Sequence, residues 1–290
     1  MRVFEFIQAE KAHHHVRTLC RLLGVSRSGF YAWSTRPPSR HDVEDERLSR
    51  SIRRIQESSR RTYGAPRIHA ELVFDGVAIS RKRVARLMRQ AQLSGHHRPR
   101  RTRTTLRGLD LAPAPDLVER NFSPEGPDRI WVADITYIRT GEGWRYLAAV
   151  MDLYSCKIVG WSMAAHLRTE LVADALDMAI MGRRPAPGLV HHSDRGCQYT
   201  SLGFGRKLRE SGILPSMGAV GTAYDNVVAE SFFATFKKDL IHRFGWPTRD
   251  GAKLATFDYI EVFYNRQRRH STLGQIGPAA FEEMRDAVSV

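Results

Sequence analysis

Between residues 225 and 240 the apolar positions Val228, Ala229, Phe232, Phe233, Phe236 and Leu240 recur at helical spacing, and no Gly or Pro interrupts them before Gly245. The pattern predicts a helix whose first turn is capped by Asp225 or Asn226 and whose apolar stripe faces a core. Glu230 and Lys237, seven residues apart, fall on nearly one line at the edge of that stripe. A carboxylate with an ammonium two turns away suits holding a metal ion while contacting a phosphate. An ordinary surface glutamate is the competing reading.

Nearer the N-terminus the periodicity is helical throughout. Val16, Leu19, Cys20 and Leu23 share a face that Gly24 ends, and Ser26 is placed to cap a second short helix through Phe30, Tyr31 and Trp33. The Gly24-Val25-Ser26 turn suits a helix-turn-helix. His13, His14 and His15 cannot all face one metal from a helix and read as a solvated run. A polar helix is predicted over residues 42–58, with Leu48, Ile52 and Ile55 inward. A second pair follows over 66–74 and 81–92, joined by the Asp75-Gly76 turn and capped by Pro66 and Ser80. In its last member Val84, Leu87, Met88 and Ala91 form the buried stripe, while Arg81, Lys82, Arg83, Arg86 and Arg89 take up most of the remaining circumference. That arrangement fits a recognition helix in a DNA groove, with cations for phosphates and Arg for base edges.

Periodicity disappears from about residue 94 to 129, where Arg98, Arg100, Arg101, Arg103 and Arg107 precede Pro113, Pro115, Pro124 and Pro127. This is a linker, basic where it begins and stiffened by proline where it ends, and its arginines suit a phosphate backbone. Beyond it the texture changes to strands over residues 130–138, 144–153 and 157–163, a helix over 169–181 capped by Thr169, and a strand over 189–192. A helix over 201–211 and a strand over 213–217 complete the alternation. Three meandering strands followed by strand–helix alternation predict a mixed five-stranded sheet with helices packed on it. The divisions are then a helical unit at 1–38, a helix-turn-helix unit at 39–95, the linker at 96–128, an α/β core at 129–245 and a helical extension at 246–290.

Charge sharpens this division. Residues 1–120 carry 25 Lys and Arg against 12 Asp and Glu, whereas residues 121–290 carry 20 against 19. A basic front half joined to a near-neutral globular half points to a polyanionic partner. The three cysteines are scattered, match no zinc pattern and fit a reducing compartment. No run of 18 apolar residues and no signal-peptide h-region is seen, so a cytoplasmic protein, nucleoid-associated when on DNA, is expected.

Three carboxylates stand out in the second half. Asp134 lies within an apolar strand among Trp131, Val132, Ile135 and Tyr137, where an unpaired acid is costly. Asp194 sits where the fourth strand ends, the position at which α/β sheets place their sites. Glu230 comes from the helix expected beside them. Three carboxylates with Lys237 near suit two hard divalent cations serving an in-line phosphoryl transfer.

The segments Trp131-Val132-Ala133-Asp134-Ile135-Thr136-Tyr137, His192-Ser193-Asp194-Arg195-Gly196 and Asp225-Asn226…Glu230-Ser231-Phe232-Phe233 resemble the integrase-core, DDE-type transposases of bacterial insertion sequences. Specifically, the chain looks like the catalytic second-frame product of the insertion-sequence family numbered three. Asp194 and Glu230 are separated by 35 residues, the spacing of that group, and Lys237 falls at its basic position after the Glu. The stretch from Tyr259 through Tyr264-Asn265-Arg266 and Arg268-Arg269-His270 to Phe281 also matches, as does 22–33. The resemblance implies a helix-turn-helix region followed by an RNase H-like domain. It further implies Mg²⁺ or Mn²⁺, two ions per site, held by Asp134, Asp194 and Glu230, and cleavage and joining of double-stranded DNA at the element's ends. Lys237 and Asn226 would position substrate, and Arg266, Arg268, Arg269 and His270 would grip DNA. A homo-oligomer on DNA is expected. No leucine-zipper heptads are seen, so the small upstream helix-turn-helix and leucine-zipper partner that the resemblance implies, often fused by frameshifting, is not expected within this chain. Two other readings stay open: a catalytically silent DNA-binding regulator, and an RNase H-like nuclease that cuts without joining.

Overall fold

A computed structural model describes residues 3–96, 117, 124–217 and 227–287. Most of the Arg- and Pro-rich linker, and with it Arg100, Arg101 and Arg103, lies outside the described residues, as do Asp225 and Asn226.

Helices α1 (Val3–Glu10), α2 (Val16–Leu22) and α3 (Arg27–Ser34) gather around Ile7, Leu19, Cys20 and Phe30. Ser26 caps α3 by accepting from the Gly29 N–H at 3.0 Å. The three histidines before α2 are exposed. Helix α1 is absent from the expectation; Phe4 and Ile7 supply its inward face.

Helices α4 (Arg40–Ser58), α5 (Ala65–Phe74) and α6 (Arg81–Gln90) form the helix-turn-helix-like region. A reciprocal box between Ser39 and Asp42 starts α4, two residues ahead of the expected beginning. Ser80 accepts from the Arg83 N–H at 3.2 Å to start α6. Leu48, Ile52, Ile68, Leu72, Val84, Leu87 and Met88 are buried between the three helices.

The sheet holds β1 (Ile130–Thr140), β2 (Gly143–Asp152), β3 (Ile158–Ala164), β4 (Val190–Ser193) and β5 (Leu214–Met217) in the order β3-β2-β1-β4-β5. Strand β1 is central, antiparallel to β2 and parallel to β4. Alternation along β1 divides its side chains between two layers. Trp131 and Ala133 pack with α7 (Thr169–Arg183) and α8 (Leu202–Glu210), whereas Val132 and Ile138 pack with Phe232 and Phe236 of α9 (Val227–Asp239). Thr169 is the first residue of α7 rather than its cap; Arg168 holds that position and makes no side-chain cap bond.

After α10 (Arg249–Phe257) the chain continues as a π-helical stretch, Asp258–Tyr264, and then α11 (Pro278–Asp286). Asn265 covers the sheet edge: its side chain accepts from Ile158 N–H and donates to Ile158 C=O, both at 2.9 Å. On α11, Glu282 receives Arg183 at 2.9 Å and Lys157 at 2.7 Å. The helix-turn-helix-like region is seated on this C-terminal segment. The Tyr63 hydroxyl donates to Gln267 C=O at 3.2 Å and accepts from Arg269 N–H at 2.8 Å, and Arg60 pairs with Asp258 at 2.8 Å. Among the described residues no helix is long and apolar enough to cross a membrane.

Candidate active site

Strand register brings two carboxylates side by side. The parallel pairing of β1 with β4 ends at Ala133 opposite Ser193, so Asp134 and Asp194 are the next residues on adjacent strands, whose backbones run about 4.8 Å apart. Asp134 belongs to the alternation that faces α9, and Glu230 stands in the first turn of that helix. Helix α9 is fixed there by Ala229, Phe232, Phe233, Phe236 and, just past its end, Leu240, all buried.

The carboxylates act on one another. Burial, and after it Asp194 and Glu230, raise Asp134 to about 7, against the Ile135 N–H bond at 2.7 Å and the nearby Lys237. Asp194 is exposed and accepts from Gly196 N–H at 3.0 Å. A Cβ on Gly196 would stand 3.0 Å from that same Asp194 oxygen, so a larger residue there presses the carboxylate aside by a few tenths of an ångström. Among the described residues no three His, Cys, Asp or Glu side chains are gathered closely enough to hold a metal ion as they stand. Asp194 and Glu230 are near enough to disfavour the ionisation of Asp134 without the three converging on one point.

Lys237 is half-buried, with its ammonium 4.6 Å from the centre of the Tyr137 ring, and Tyr137 meets Trp144 edge-on at 5.3 Å. Burial lowers its pKa, opposed by Asp134. Sequence reasoning did not single out this aromatic seat, nor Gly196, nor Tyr199. The Tyr199 hydroxyl is buried with no hydrogen-bond partner among the described residues, and its pKa is raised by burial first and then by Asp134 and Asp194. The Gly-x-x-Tyr spacing after Asp194 carries no signal from which these contacts follow.

The cations expected to grip DNA fall into two groups. Arg81, Lys82, Arg89 and Arg266 are exposed. Arg83 and Arg86 are engaged by α4 instead: Arg83 bonds Asp45 at 2.9 Å and Glu44 at 2.8 Å, and Arg86 bonds Asp45 at 2.7 Å. Arg268, Arg269 and His270 are buried rather than offered at the surface. Arg268 pairs with buried Asp239 at 3.1 Å, Arg269 with Glu71 at 2.7 Å, and His270 packs edge-on against Tyr264 at 4.8 Å. An ion pair within the protein satisfies a guanidinium that a phosphate would otherwise neutralise.

Comparison with known proteins places this architecture. Residues 43–101 match the family model described as an HTH-like domain, and residues 124–223 and 211–278 match two models described as integrase core domain. A helical DNA-binding-type region followed by an integrase core defines the class of polynucleotidyl transferases. The chain is 42% identical over 91% of its length to the insertion element IS600 uncharacterized 31 kDa protein of Shigella sonnei, covering 97% of it. It is 37% identical over 96% of its length to the transposase InsF for insertion sequence IS3A of Escherichia coli (strain K12), covering 98%. The chain belongs to the transposases of the IS3 family of insertion sequences. A simian T-cell lymphotropic virus intasome structure, in complex with PP2A regulatory subunit B56 gamma, aligns with TM-score 0.48 and 12% identity over 80% of this chain and 74% of that one.

Proposed function

We propose that this transposase binds the terminal repeats of its element and cleaves and joins DNA strands there, with Asp134, Asp194 and Glu230 as ligands of two divalent cations, Mg²⁺ or Mn²⁺. The observation that carries the reading is the pairing register that sets Asp134 beside Asp194 on the face turned to Glu230. The donor set fits such ions: three hard oxygen ligands, one of them raised to about 7 by burial and then by the other two, are a combination that positive charge relieves. When bound, the ions supply Lewis acidity to the attacking and leaving oxygens of an in-line displacement.

The chain's own groups do the rest. Gly196 N–H and Ile135 N–H orient one oxygen of Asp194 and of Asp134 respectively. Lys237 has donors and no acceptor, so it serves a non-bridging phosphate oxygen rather than a cation. Tyr137 keeps its ammonium in place without neutralising it. Arg81, Lys82 and Arg89 on α6 and Arg266 beyond the π-helical stretch contact phosphates, with Arg side chains reading base edges. Arg100, Arg101 and Arg103 of the basic linker are assigned phosphate contacts from their charge, and Asn226 a substrate-positioning role from the sequence resemblance.

A strand-transfer assay on duplexes carrying the inverted repeats that flank the coding region tests this reading. Wild type is expected to give cleaved and joined products only with a divalent ion, and Asp194→Asn to bind the ends yet yield neither. Cleaved but never joined products would show a nuclease. Binding without either product, in wild type as in the variant, would show a regulator.

A further inference from the structure

Two cavities, about 570 Å³ and about 670 Å³, share Arg67 and Ser271 in their walls, between the helix-turn-helix-like region and the catalytic unit. Arg268, His270 and, from α9, Ser231 and Thr235 line the first. Lys238 of α9 and Arg89 of α6 line the second. Ser231, Thr235 and Lys238 stand four and three residues apart, so α9 turns one polar face to this groove while Glu230 and Lys237 hold the neighbouring face.

Cations outnumber acids here. Arg268 is held by Asp239, and among the described residues neither Arg67 nor Lys238 makes an ion pair; the Arg67 guanidinium rests 5.6 Å from the centre of the Tyr63 ring. Arg67 is lowered by burial and then by Arg268, and Lys238 by burial with Arg268 and Arg67 adding to it. His270 is pushed down to about 3 by burial, then by the same two arginines, so it is neutral, and its buried Nε2 has no hydrogen-bond partner among the described residues. One carboxylate, Asp239, faces three cations and an unpartnered imidazole nitrogen.

We propose that this groove binds the phosphodiester backbone of DNA, seating phosphates on Arg67 and Lys238 between α6 and the catalytic carboxylates. The inference rests on the reading of the chain as an enzyme that joins DNA. A phosphate supplies the negative charge that Asp239 alone does not. Arg268 contributes its field from inside the wall, and the hydroxyls of Ser231, Thr235 and Ser271, with His270 as its Nε2–H tautomer, offer neutral donors. Arg89 joins the groove to the exposed cations of α6, so one track of charge leads from that helix to α9.

Fluorescence anisotropy of the full chain with the element-end duplex, between about 50 and 200 mM salt, tests the proposal. Arg67→Gln and Lys238→Gln are each expected to reduce the slope of log affinity against log salt by about 0.9, and the double variant to bind about tenfold more weakly or worse. Lys253→Gln, an exposed cation of α10 away from the groove, serves as the control with slope and affinity unchanged. Without DNA the double variant should keep or raise its thermal midpoint, because mutual repulsion has been removed. Wild-type slope and affinity in both single variants would overturn the groove while leaving strand transfer by the wild type to support the wider reading. A wild type that binds no element-end DNA would overturn both.

Discussion

Replacing Asp134 by Asn is expected to abolish strand transfer and at the same time to stabilise the protein at neutral and alkaline pH. The carboxyl titrates at about 7 in the fold against 3.8 in the reference state, because burial and then Asp194 and Glu230 disfavour its charge. Below the lower value both states hold the proton and Asp134 contributes nothing. Between the two values the native state is protonated while the unfolded chain is not, so stability falls as pH rises; above about 7 the full penalty is present. Three pKa units correspond to about 4 kcal/mol. Because the side chain is half-buried and reached by water, about 2 kcal/mol is the better expectation. The assay is denaturant unfolding of wild type and Asp134→Asn with a chelator present, at pH 5 and pH 8, followed by tryptophan fluorescence. The variant should be more stable by about 2 kcal/mol at pH 8 and by much less at pH 5, with similar denaturant slopes. A variant no more stable than wild type at pH 8, or a gap that does not change with pH, would refute the electrostatic account of the site.

Lys237→Ala should leave divalent-ion binding nearly intact and impair strand transfer, with Lys237→Arg retaining part of the rate; a defect rescued by excess metal would place the residue in the ion site instead. Gly196→Ala should keep the fold, since the loop is at the surface, yet lower the rate by about ten- to a hundredfold as the new Cβ displaces the Asp194 carboxylate. Circular dichroism and single-turnover cleavage check both halves of that expectation, and wild-type rates would mean that the Asp194 position is not fixed by this loop.

Local chemistry made much of this fold legible. Ser26 and Ser80 cap their helices because a hydroxyl before an apolar stripe meets the free N–H groups of the first turn. The stripe of α9 is buried as its spacing indicates. What could not be read depends on partners far along the chain. Arg83 and Arg86 look like free cations because no acid lies near them in sequence, and their acids are on α4, 38 to 41 residues away. Arg268 and Arg269 look like a surface run for the same reason, while Asp239 and Glu71 hold them inside. The central place of β1 is likewise a matter of long-range pairing, and with it the adjacency of Asp134 and Asp194. The sequence names these residues; only the register shows that one is next to the other. Helix α1 escaped notice because its eight residues carry no cap signal.

The central claim is that Asp134, Asp194 and Glu230 form one cation site. Calorimetric titration of Mn²⁺ into the full chain measures it directly, comparing wild type with Asp134→Asn, Asp194→Asn and Glu230→Gln. Each substitution removes a charge while keeping the side chain's volume, so each should weaken the same binding event by at least tenfold with the fold unchanged. Wild-type Mn²⁺ affinity in any one of the three folded variants would contradict the claim.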